Sequence, residues 1–312
     1  MPNNLNLKNN QIAAPVNLSL LQRITTWLSS SSSHELVDAK SDEFEKGRHI
    51  GVDLKQFEID KWTDLRVQIL EIIWGRGNRL PGDGEFHTEL FFHHDLSSKT
   101  KALDVAVGLG ACATMIAQEN FTHVDVVESY PELLPYLIQR IKDKKLSPFI
   151  SILKNNLNDV KLDRAKYDLV YGREAFFKIK NKQLILQKCI NSLQTNGQLI
   201  FTDFVLAQDA SDQKIFKNWS AREKETVYPV SIKHYEKLFN GFDVQLMPPV
   251  DYSKQYIEYV NAGWERLKQY LETHPVDQEF VNIMAQESDL WLSRVRALRS
   301  GKLKFVKFHA IL

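Results

Sequence analysis

Short apolar segments alternate with helical stretches through most of the chain, and this alternation constrains the fold more than any other feature. Five segments after residue 100 have the length and composition of β-strands: KALDVAV, THVDVVE, FISILKN, YDLVYG and GQLIFTDF. Stretches with helical spacing, about 10–15 residues long, separate most of them. Strands that alternate with helices pair in parallel, so the sequence predicts an α/β fold with a doubly wound sheet and helices on both faces.

The composition limits the classes of protein to which this chain can belong. With 312 residues, 43% of them hydrophobic, the chain can bury a sizeable core. The formal net charge is only +1, so we expect no nucleic-acid partner. We also expect no membrane segment and no leader peptide. The two distant cysteines, Cys112 and Cys189, lack the spacing of a metal or redox motif, which favours a cytoplasmic protein with no metal site.

The chain divides by composition into three parts. Residues 1–45 are rich in asparagine and serine and predict a mobile extension that contains one short amphipathic helix. Residues 46–98 predict a helical cap, because WTDLRVQILEIIW places its apolar residues on one face and the loop GRGNRLPGDG ends that helix. Residues 99–312 predict the main domain, with a helical insertion at about 251–299.

A turn with two glycines marks the first candidate site. The segment ALDVAVGLGACA leads from a strand into Gly108 and Gly110 and then into a helix, where the bare backbone lets a ligand approach. Glu128 ends the next strand, and a carboxylate there can accept hydrogen bonds from two ribose hydroxyls. The same spacing fits nicotinamide or flavin binding, so a nicotinamide-dependent oxidoreductase is the alternative function.

Asp104 stands four residues before Gly108, and this pattern resembles the first motif of class I S-adenosylmethionine-dependent methyltransferases. Further segments resemble the phosphoethanolamine methyltransferase group, among them LKNNLND, YDLVYGREAFFKIKNKQLILQKCINSLQTNGQLIFTDF and LWLSRVRALRSGKLKFVKFHA. The resemblance covers roughly residues 60–310. It implies a Rossmann-like, seven-stranded methyltransferase sheet with an N-terminal helical cap, S-adenosylmethionine as cofactor and a small-molecule substrate. The sequence is compatible with a homodimer.

The resemblance also implies the residues of the cofactor site. Asp104 would lie near the methionine amino group, with Gly108 and Gly110 beside the methionine end of the cofactor. Glu128 would hold the ribose. Asn156 and Leu157 occupy the positions that contact adenine in the family, and the side-chain oxygen of Asn156 can accept from the adenine amino group.

The substrate side departs from the family pattern. The family's catalytic Tyr/His pair is matched here by Trp62 and Lys178, which removes the obvious base because lysine is protonated near neutrality. We therefore expect either a nucleophile that needs little assistance from a general base, or a base at another position, such as Tyr171 or His234. Glu225 and Val227 stand where the family binds a substrate phosphate, so phosphoethanolamine itself is not the expected acceptor.

Four residues carry the remaining expectations about the acceptor. Glu174 keeps the acidic character of the family residue near the substrate amine, and Arg294 keeps a positive charge. Lys178 and Arg294 would hold a substrate carboxylate while Glu174 holds its ammonium, with His234 as a further ligand. Trp62 would shield the methyl group or stack on a cation.

The sequence thus predicts methyl transfer to a small charged metabolite, an amine or a thioether, possibly amino-acid-like. Because the family's Tyr/His pair is absent, a non-catalytic cofactor-binding protein is the second alternative.

Overall fold

The computed structural model describes residues 62–91, 94–154, 156–207 and 214–312. Two helices come first, α1 (Asp64–Trp74) and α2 (Gly84–Leu90). The alternating part contains β1 (Lys101–Asp104), α3 (Ala111–Asn120), β2 (His123–Val126), α4 (Leu134–Asp143), β3 (Ile150–Ile152), β4 (Tyr167–Arg173), α5 (Lys182–Ser192) and β5 (Leu193–Leu206). The last part contains α6 (Lys214–Ser220), α7 (Ile232–Phe239), β6 (Gln245–Leu246), β7 (Val250–Asp251), α8 (Ser253–Thr273), α9 (Gln278–Arg299) and β8 (Leu303–Ile311).

All the described strands belong to one sheet, with the order β3-β2-β1-β4-β5-β8-β6. The first five strands pair in parallel, and β8 runs antiparallel between β5 and β6. The chain steps outward from β1 to β3 and then returns to place β4 on the other side of β1. Ligands of open α/β sheets bind at such a switch point, beyond the carboxyl ends of the strands. The predicted doubly wound, Rossmann-like sheet is confirmed.

The edge beyond β8 differs from the seven strands that were expected. Both β6 and β7 pair with β8, so seven positions in the sheet are filled by eight strands. Pro248 and Pro249 lie between the two short strands. A proline has no backbone N–H to donate and therefore interrupts the ladder, which makes one edge position of two pieces.

Helices cover both faces of the sheet and form two separate cores. Alternate residues of β5 show the division, because Ile200 and Phe204 face one core while Leu199 and Phe201 face the other. The first core also holds α1, α8 and α9. Trp74 of α1 is fully buried there against Trp291 of α9 at a ring distance of 4.7 Å. The cap helix and the C-terminal helices therefore fold as one body around these indoles.

The predicted cap helix begins two residues later than the apolar pattern, because Thr63 caps it. The Thr63 hydroxyl accepts a hydrogen bond from the backbone N–H of Arg66 at 3.2 Å, which satisfies one free donor of the first turn. Trp62 consequently precedes the helix. Two helices, α8 and α9, fill most of the predicted insertion at 251–299.

Several expectations concern other parts of the chain. The predicted extension at 1–45, with its amphipathic helix, lies outside the described residues, and the division of the chain at residue 98 stays a prediction. Cys112 and Cys189 are both buried and are not joined in a disulfide. None of the described helices is long and apolar enough to cross a membrane.

Candidate cofactor and substrate site

Two adjoining cavities open at the carboxyl ends of β1, β2 and β4, at the switch point of the sheet. The smaller, of about 30 Å³, is lined by Asp104, Gly108 and Tyr171. Further residues of the glycine turn and of the loop between α1 and α2 complete its wall. The larger, of about 210 Å³, contains Glu128, Glu174 and Lys178 in its wall. Arg79 and Ala106 line both cavities, so the two spaces share a boundary.

The two glycines of the turn have backbone conformations that other residues rarely adopt. Gly108 has φ +57° and Gly110 has φ +87°, both in the left-handed region. At Gly110 a Cβ atom would lie only 2.5 Å from Cδ1 of Leu137 in α4. The turn therefore needs glycine at this position both for its conformation and for the close approach of α4.

Glu128 follows β2 and binds the backbone on both sides of the cavity. Its carboxylate accepts hydrogen bonds from the N–H of Gly108 at 2.7 Å and from the N–H of Tyr130 at 2.8 Å. The side chain is buried yet lines the larger cavity. Each carboxylate oxygen keeps a second lone pair, so Glu128 can accept from ligand hydroxyls while it holds the turn in place.

Asp104 ends β1 and lies in the smaller cavity. Its Oδ1 accepts a hydrogen bond from the N–H of Ala106 at 3.0 Å. Burial raises the pKa of this carboxyl to about 7, and the hydrogen bond from Ala106 opposes the shift only in part. A buried carboxylate of this kind gains a partner when a cationic group enters the cavity, because the ionised form is otherwise poorly solvated.

Tyr171 lies next to Asp104, because the two residues are paired across β4 and β1. Its side chain is 1% exposed, and its hydroxyl has no hydrogen-bond partner among the described residues. Burial raises the pKa of Tyr171 well above its ordinary value. Tyr171 therefore lines the smaller cavity with Asp104, whereas Glu174 and Lys178 line the larger one. This position does not support the expectation that Tyr171 is the base for an acceptor beside Glu174 and Lys178.

Asn156 and Leu157, the residues expected to contact adenine, line the larger cavity. The side-chain oxygen of Asn156 already accepts hydrogen bonds from the N–H groups of Asn158 at 2.9 Å and Asp159 at 3.2 Å. Both of its lone pairs are used by this turn, so the side chain is not free to accept from an adenine amino group. Leu157 is buried and forms an apolar part of the wall.

Glu174 lies directly after β4 in a strained conformation, with φ +52°, which non-glycine residues seldom adopt. Its N–H is held by the carbonyl of Thr202 in β5 at 2.8 Å. Its carboxylate accepts from the hydroxyl of Tyr256 at 2.8 Å and from Arg294 at 3.0 Å. Hydrogen bonds of both the backbone and the side chain of Glu174 thus hold this strained conformation.

Arg294 of α9 is almost fully buried and joins two carboxylates. Besides Glu174, it makes a two-point contact with Glu223, through Nε at 2.7 Å and Nη2 at 2.8 Å. The indole N–H of Trp219 also donates to Glu223 at 2.7 Å. Arg294 lines the larger cavity, but its charge is already balanced by these two carboxylates.

Lys178 lines the same cavity and does not pair with Glu174. Its Nζ donates to the hydroxyl of Tyr130 at 3.0 Å and lies 3.5 Å from the carboxylate of Glu225. The segment from Glu174 to Lys178 is a series of bends and turns, so the i,i+4 relation of a helix does not apply. Glu174 and Lys178 thus face one space and are free of each other.

Two predicted residues lie outside the cavity walls. Thr63 caps α1, so Trp62 lies before the helix. The Trp62 ring packs edge-on against the Tyr130 ring at 5.5 Å, and the guanidinium of Arg66 lies 4.2 Å from the centre of the Trp62 ring. The ring face is therefore occupied by a cation of the protein itself. His234 lies exposed in the first turn of α7, and the structure does not bring it to Glu174 or Arg294.

Three further residues belong to the site and were not singled out in the sequence: Arg79, Tyr130 and Glu223. Tyr130 stands two residues after Glu128, so its position after a strand end was a usable signal. Arg79 and Glu223 come from loops whose course no local pattern predicts. No group of three or more His, Cys, Asp or Glu side chains suited to a metal ion occurs in the described part of the chain.

Comparison with known proteins finds relatives of similar sequence and fold. A phosphoethanolamine N-methyltransferase of Plasmodium falciparum is 22% identical over 246 residues, which is 77% of this chain and 88% of that protein. Among solved structures, phosphoethanolamine N-methyltransferase 2 of Haemonchus contortus matches with a TM-score of 0.70 and 18% identity, over 83% of this chain. The chain spans only 60% of that protein. The [4+2]-cyclase SpnF has the same fold, with a TM-score of 0.60 and 12% identity.

The sequence model of one family covers more than half of the chain. It matches residues 96–273, which include β1, the glycine turn, Glu128 and the strained Glu174. The chain therefore belongs to the methyltransferase domain family.

Proposed function

We propose that this protein transfers a methyl group from S-adenosylmethionine to the nitrogen of a small amine that carries no phosphate. The observation that carries the proposal is the placement of two carboxylates, Asp104 and Glu128, at the ends of adjacent strands on either side of one glycine turn. S-Adenosylmethionine supplies a methyl group bound to a positively charged sulfur when it is present. A nicotinamide-dependent oxidoreductase is disfavoured, because Asp104 in the smaller cavity suits an ammonium group.

The cofactor residues fit the chemistry of that molecule. Asp104 is a buried carboxyl that lacks a cationic partner within hydrogen-bond distance in the described chain, which suits the methionine ammonium. Glu128 keeps free lone pairs toward the larger cavity, which suits the two ribose hydroxyls. Leu157 offers an apolar surface to the adenine ring.

The charges of the larger cavity favour a cationic acceptor. Arg294 is balanced by Glu174 and Glu223, and Lys178 lies beside Glu225. A phosphate would have to compete with these carboxylates for their cations, and Glu225 would repel it. The carboxylate of Glu174 retains lone pairs for an ammonium group of the acceptor. The same balance disfavours the amino-acid-like acceptor, whose carboxylate would need Lys178 and Arg294.

Removal of a proton from the acceptor is assigned to Tyr130 in this proposal. A protonated amine has no lone pair for attack, so one N–H bond must break before the nitrogen can bond to carbon. The phenolate of Tyr130, whose own proton has left to solvent, accepts that proton as a new O–H bond. Burial raises the pKa of Tyr130, while Lys178 and Arg79 counteract that shift by stabilising the phenolate. Lys178 would thus support a tyrosine in place of the family's Tyr/His pair.

The role of Glu128 predicts the first outcome. Glu128→Ala should weaken binding of S-adenosylhomocysteine by about 1–3 kcal/mol, because buried ribose hydroxyls would lose their acceptor. Isothermal titration calorimetry measures the affinity. Glu132→Ala, an exposed carboxylate a few residues away, is the matched control and should bind normally. Equal affinities for wild type and a folded Glu128→Ala variant would remove Glu128 from the site.

The raised pKa of Asp104 predicts how cofactor affinity depends on pH. The carboxyl is protonated below about pH 7, and an ammonium ligand requires the ionised form, so the proton must be released on binding. Affinity for S-adenosylhomocysteine should therefore rise with pH between about 6 and 8. The folding stability of the protein without ligand depends on pH in the opposite direction. Because the pKa of Asp104 is raised in the folded state, its contribution to stability falls as pH rises from about 4 to 7.

Titrations in two buffers with different ionisation enthalpies count the released protons. Asp104→Asn should bind weakly and lose this pH dependence. A wild-type affinity that stays flat over the same pH range would contradict the assignment of Asp104 to the ammonium group.

The charge balance predicts the choice of acceptor. Ethanolamine and phosphoethanolamine differ only by the phosphate, and we expect faster formation of S-adenosylhomocysteine with the unphosphorylated amine at equal concentration. Glu174→Gln should raise KM for the amine with little change in affinity for S-adenosylhomocysteine, since in this proposal Glu174 contacts the acceptor and not the cofactor. Thermal unfolding shows whether the variant still folds without that partner for Arg294. Faster turnover of phosphoethanolamine would overturn this part of the proposal.

The assigned base predicts a separate kinetic result. Tyr130→Phe should lower kcat by about 100-fold or more, the usual contribution of a positioned base, while affinity for S-adenosylhomocysteine stays the same. Tyr136→Phe removes a hydroxyl that donates to Asp64, outside both cavities, and serves as the control. The two rates should converge at high pH, where the amine loses its proton to solvent. Equal kcat for Tyr130→Phe and wild type near neutrality would exclude Tyr130 as the base.

A further inference from the structure

Arg79 lies at the boundary of the two cavities, and apart from its effect on the pKa of Tyr130 it has been given no role so far. It comes from the loop between α1 and α2, and its side chain crosses the glycine turn. A Cβ atom on Gly108 would lie 2.7 Å from Nε of Arg79 and 3.0 Å from its Cδ. The absence of a side chain at Gly108 therefore makes room for the stem of Arg79 at this point of the turn.

No carboxylate of the described residues pairs with the guanidinium of Arg79. It forms no hydrogen bond and no ion pair with any residue in the described ranges, and its Nε is buried without a partner. The guanidinium lies 5.7 Å from the centre of the Tyr130 ring. A buried donor without a partner is costly, so such a group is expected to meet an acceptor when the site is filled.

The other cations of the two cavities are already engaged. Lys178 lies beside Glu225, and Arg294 is held by Glu174 and Glu223. Arg173, the second arginine of the smaller cavity, donates to Nε2 of His87 at 2.8 Å and to the carbonyl of Pro81. Burial and the charge of Arg173 lower the pKa of His87 well below its ordinary value, so His87 is neutral and can accept this bond.

The ligand that fits Arg79 follows from the position of Asp104, and this step rests on the proposed function. The methionine part of S-adenosylmethionine carries an ammonium and a carboxylate on one carbon atom. When Asp104 takes the ammonium, the carboxylate lies within a few ångströms, on the smaller cavity that Arg79 also lines. We propose that Arg79 binds the carboxylate of the methionine moiety, so that Asp104 and Arg79 together recognise both charges of the amino-acid end.

This assignment also bears on the acceptor. With Arg79 bound to the cofactor, every cation that lines the larger cavity has an anionic partner. On the acceptor side of that wall, the carboxylates of Glu174 and Glu225 can then accept further hydrogen bonds. Occupation of Arg79 by the cofactor thus strengthens the preference for an amine without an anionic group.

The test compares two ligands that differ only in the carboxylate. These are S-adenosylhomocysteine and S-adenosyl-3-thiopropylamine, its decarboxylated form. Wild type should bind the first more tightly. Arg79→Met should weaken the binding of S-adenosylhomocysteine by about 10- to 100-fold, as expected for the loss of a charged hydrogen bond. The affinity for the decarboxylated ligand should stay nearly unchanged. Arg79→Lys should recover part of the loss, because it keeps the charge without the two-point geometry.

Arg76→Met is the matched control, because Arg76 is an exposed arginine of the same loop, and it should bind both ligands as wild type does. Circular dichroism and thermal unfolding establish that each variant is folded. A wild type that binds neither S-adenosylhomocysteine nor S-adenosylmethionine would overturn the proposed function together with this inference.

Two outcomes would overturn the inference alone. If wild type binds S-adenosylhomocysteine but Arg79→Met loses both ligands equally, Arg79 supports the adenosine site or the fold and does not contact the carboxylate. If Arg79→Met binds both ligands normally and instead raises KM for the acceptor, the guanidinium contacts the acceptor. In both cases methyl transfer from S-adenosylmethionine would remain the proposed activity.

Discussion

The architecture of the site depends on one buried arginine. Arg294 reaches from α9 to Glu174 at the end of β4 and to Glu223 in the chain after α6. Desolvating three charges is costly, and the cost is met only while all the partners are present; loss of one partner from such a cluster typically costs about 3–5 kcal/mol. The C-terminal helices are therefore fixed over the sheet by the same groups that form the wall of the larger cavity. Tyr256 of α8 joins the cluster through Glu174, so both long helices take part.

The placement of charge around the two cavities follows from the sheet. Parallel pairing sets Asp104 beside Tyr171 and aligns the end of β1 with that of β2, so the two acidic residues face the glycine turn together. Glu128 then ties the turn to Tyr130 through two backbone N–H groups. These contacts join backbone segments that the fold already brings together. The cofactor end is consequently rigid, whereas Lys178 and Glu225 at the acceptor end are partly exposed and linked by a longer contact.

The sequence was sufficient for the parts of this protein that short segments determine. Alternating strands and helices predicted the sheet, and the spacing of Asp104, Gly108, Gly110 and Glu128 placed candidate residues at the carboxyl ends of β1 and β2, because parallel pairing fixes the direction of both strands. The methyltransferase family was predicted and is confirmed. Contacts between distant segments were not accessible in this way. Glu223 and Arg294 are 71 residues apart. Lys178 and Arg294 were expected to hold a substrate carboxylate together, but each lies beside a carboxylate of the protein itself. The two prolines after β6 were visible in the sequence, yet their effect on the edge of the sheet requires knowing which strand lies there.

That broken edge has a consequence for how copies of the protein meet. An unpaired strand at the side of a sheet can join the strand of another molecule, and natural proteins prevent this with short strands and prolines. Here one side of the sheet ends in β6 and β7, with Pro248 and Pro249 between them, and the opposite side ends in β3, which is three residues long. Among the strands that the structure describes, neither side offers a continuous ladder of free N–H and carbonyl groups. The edges of the described sheet therefore disfavour self-association by strand addition.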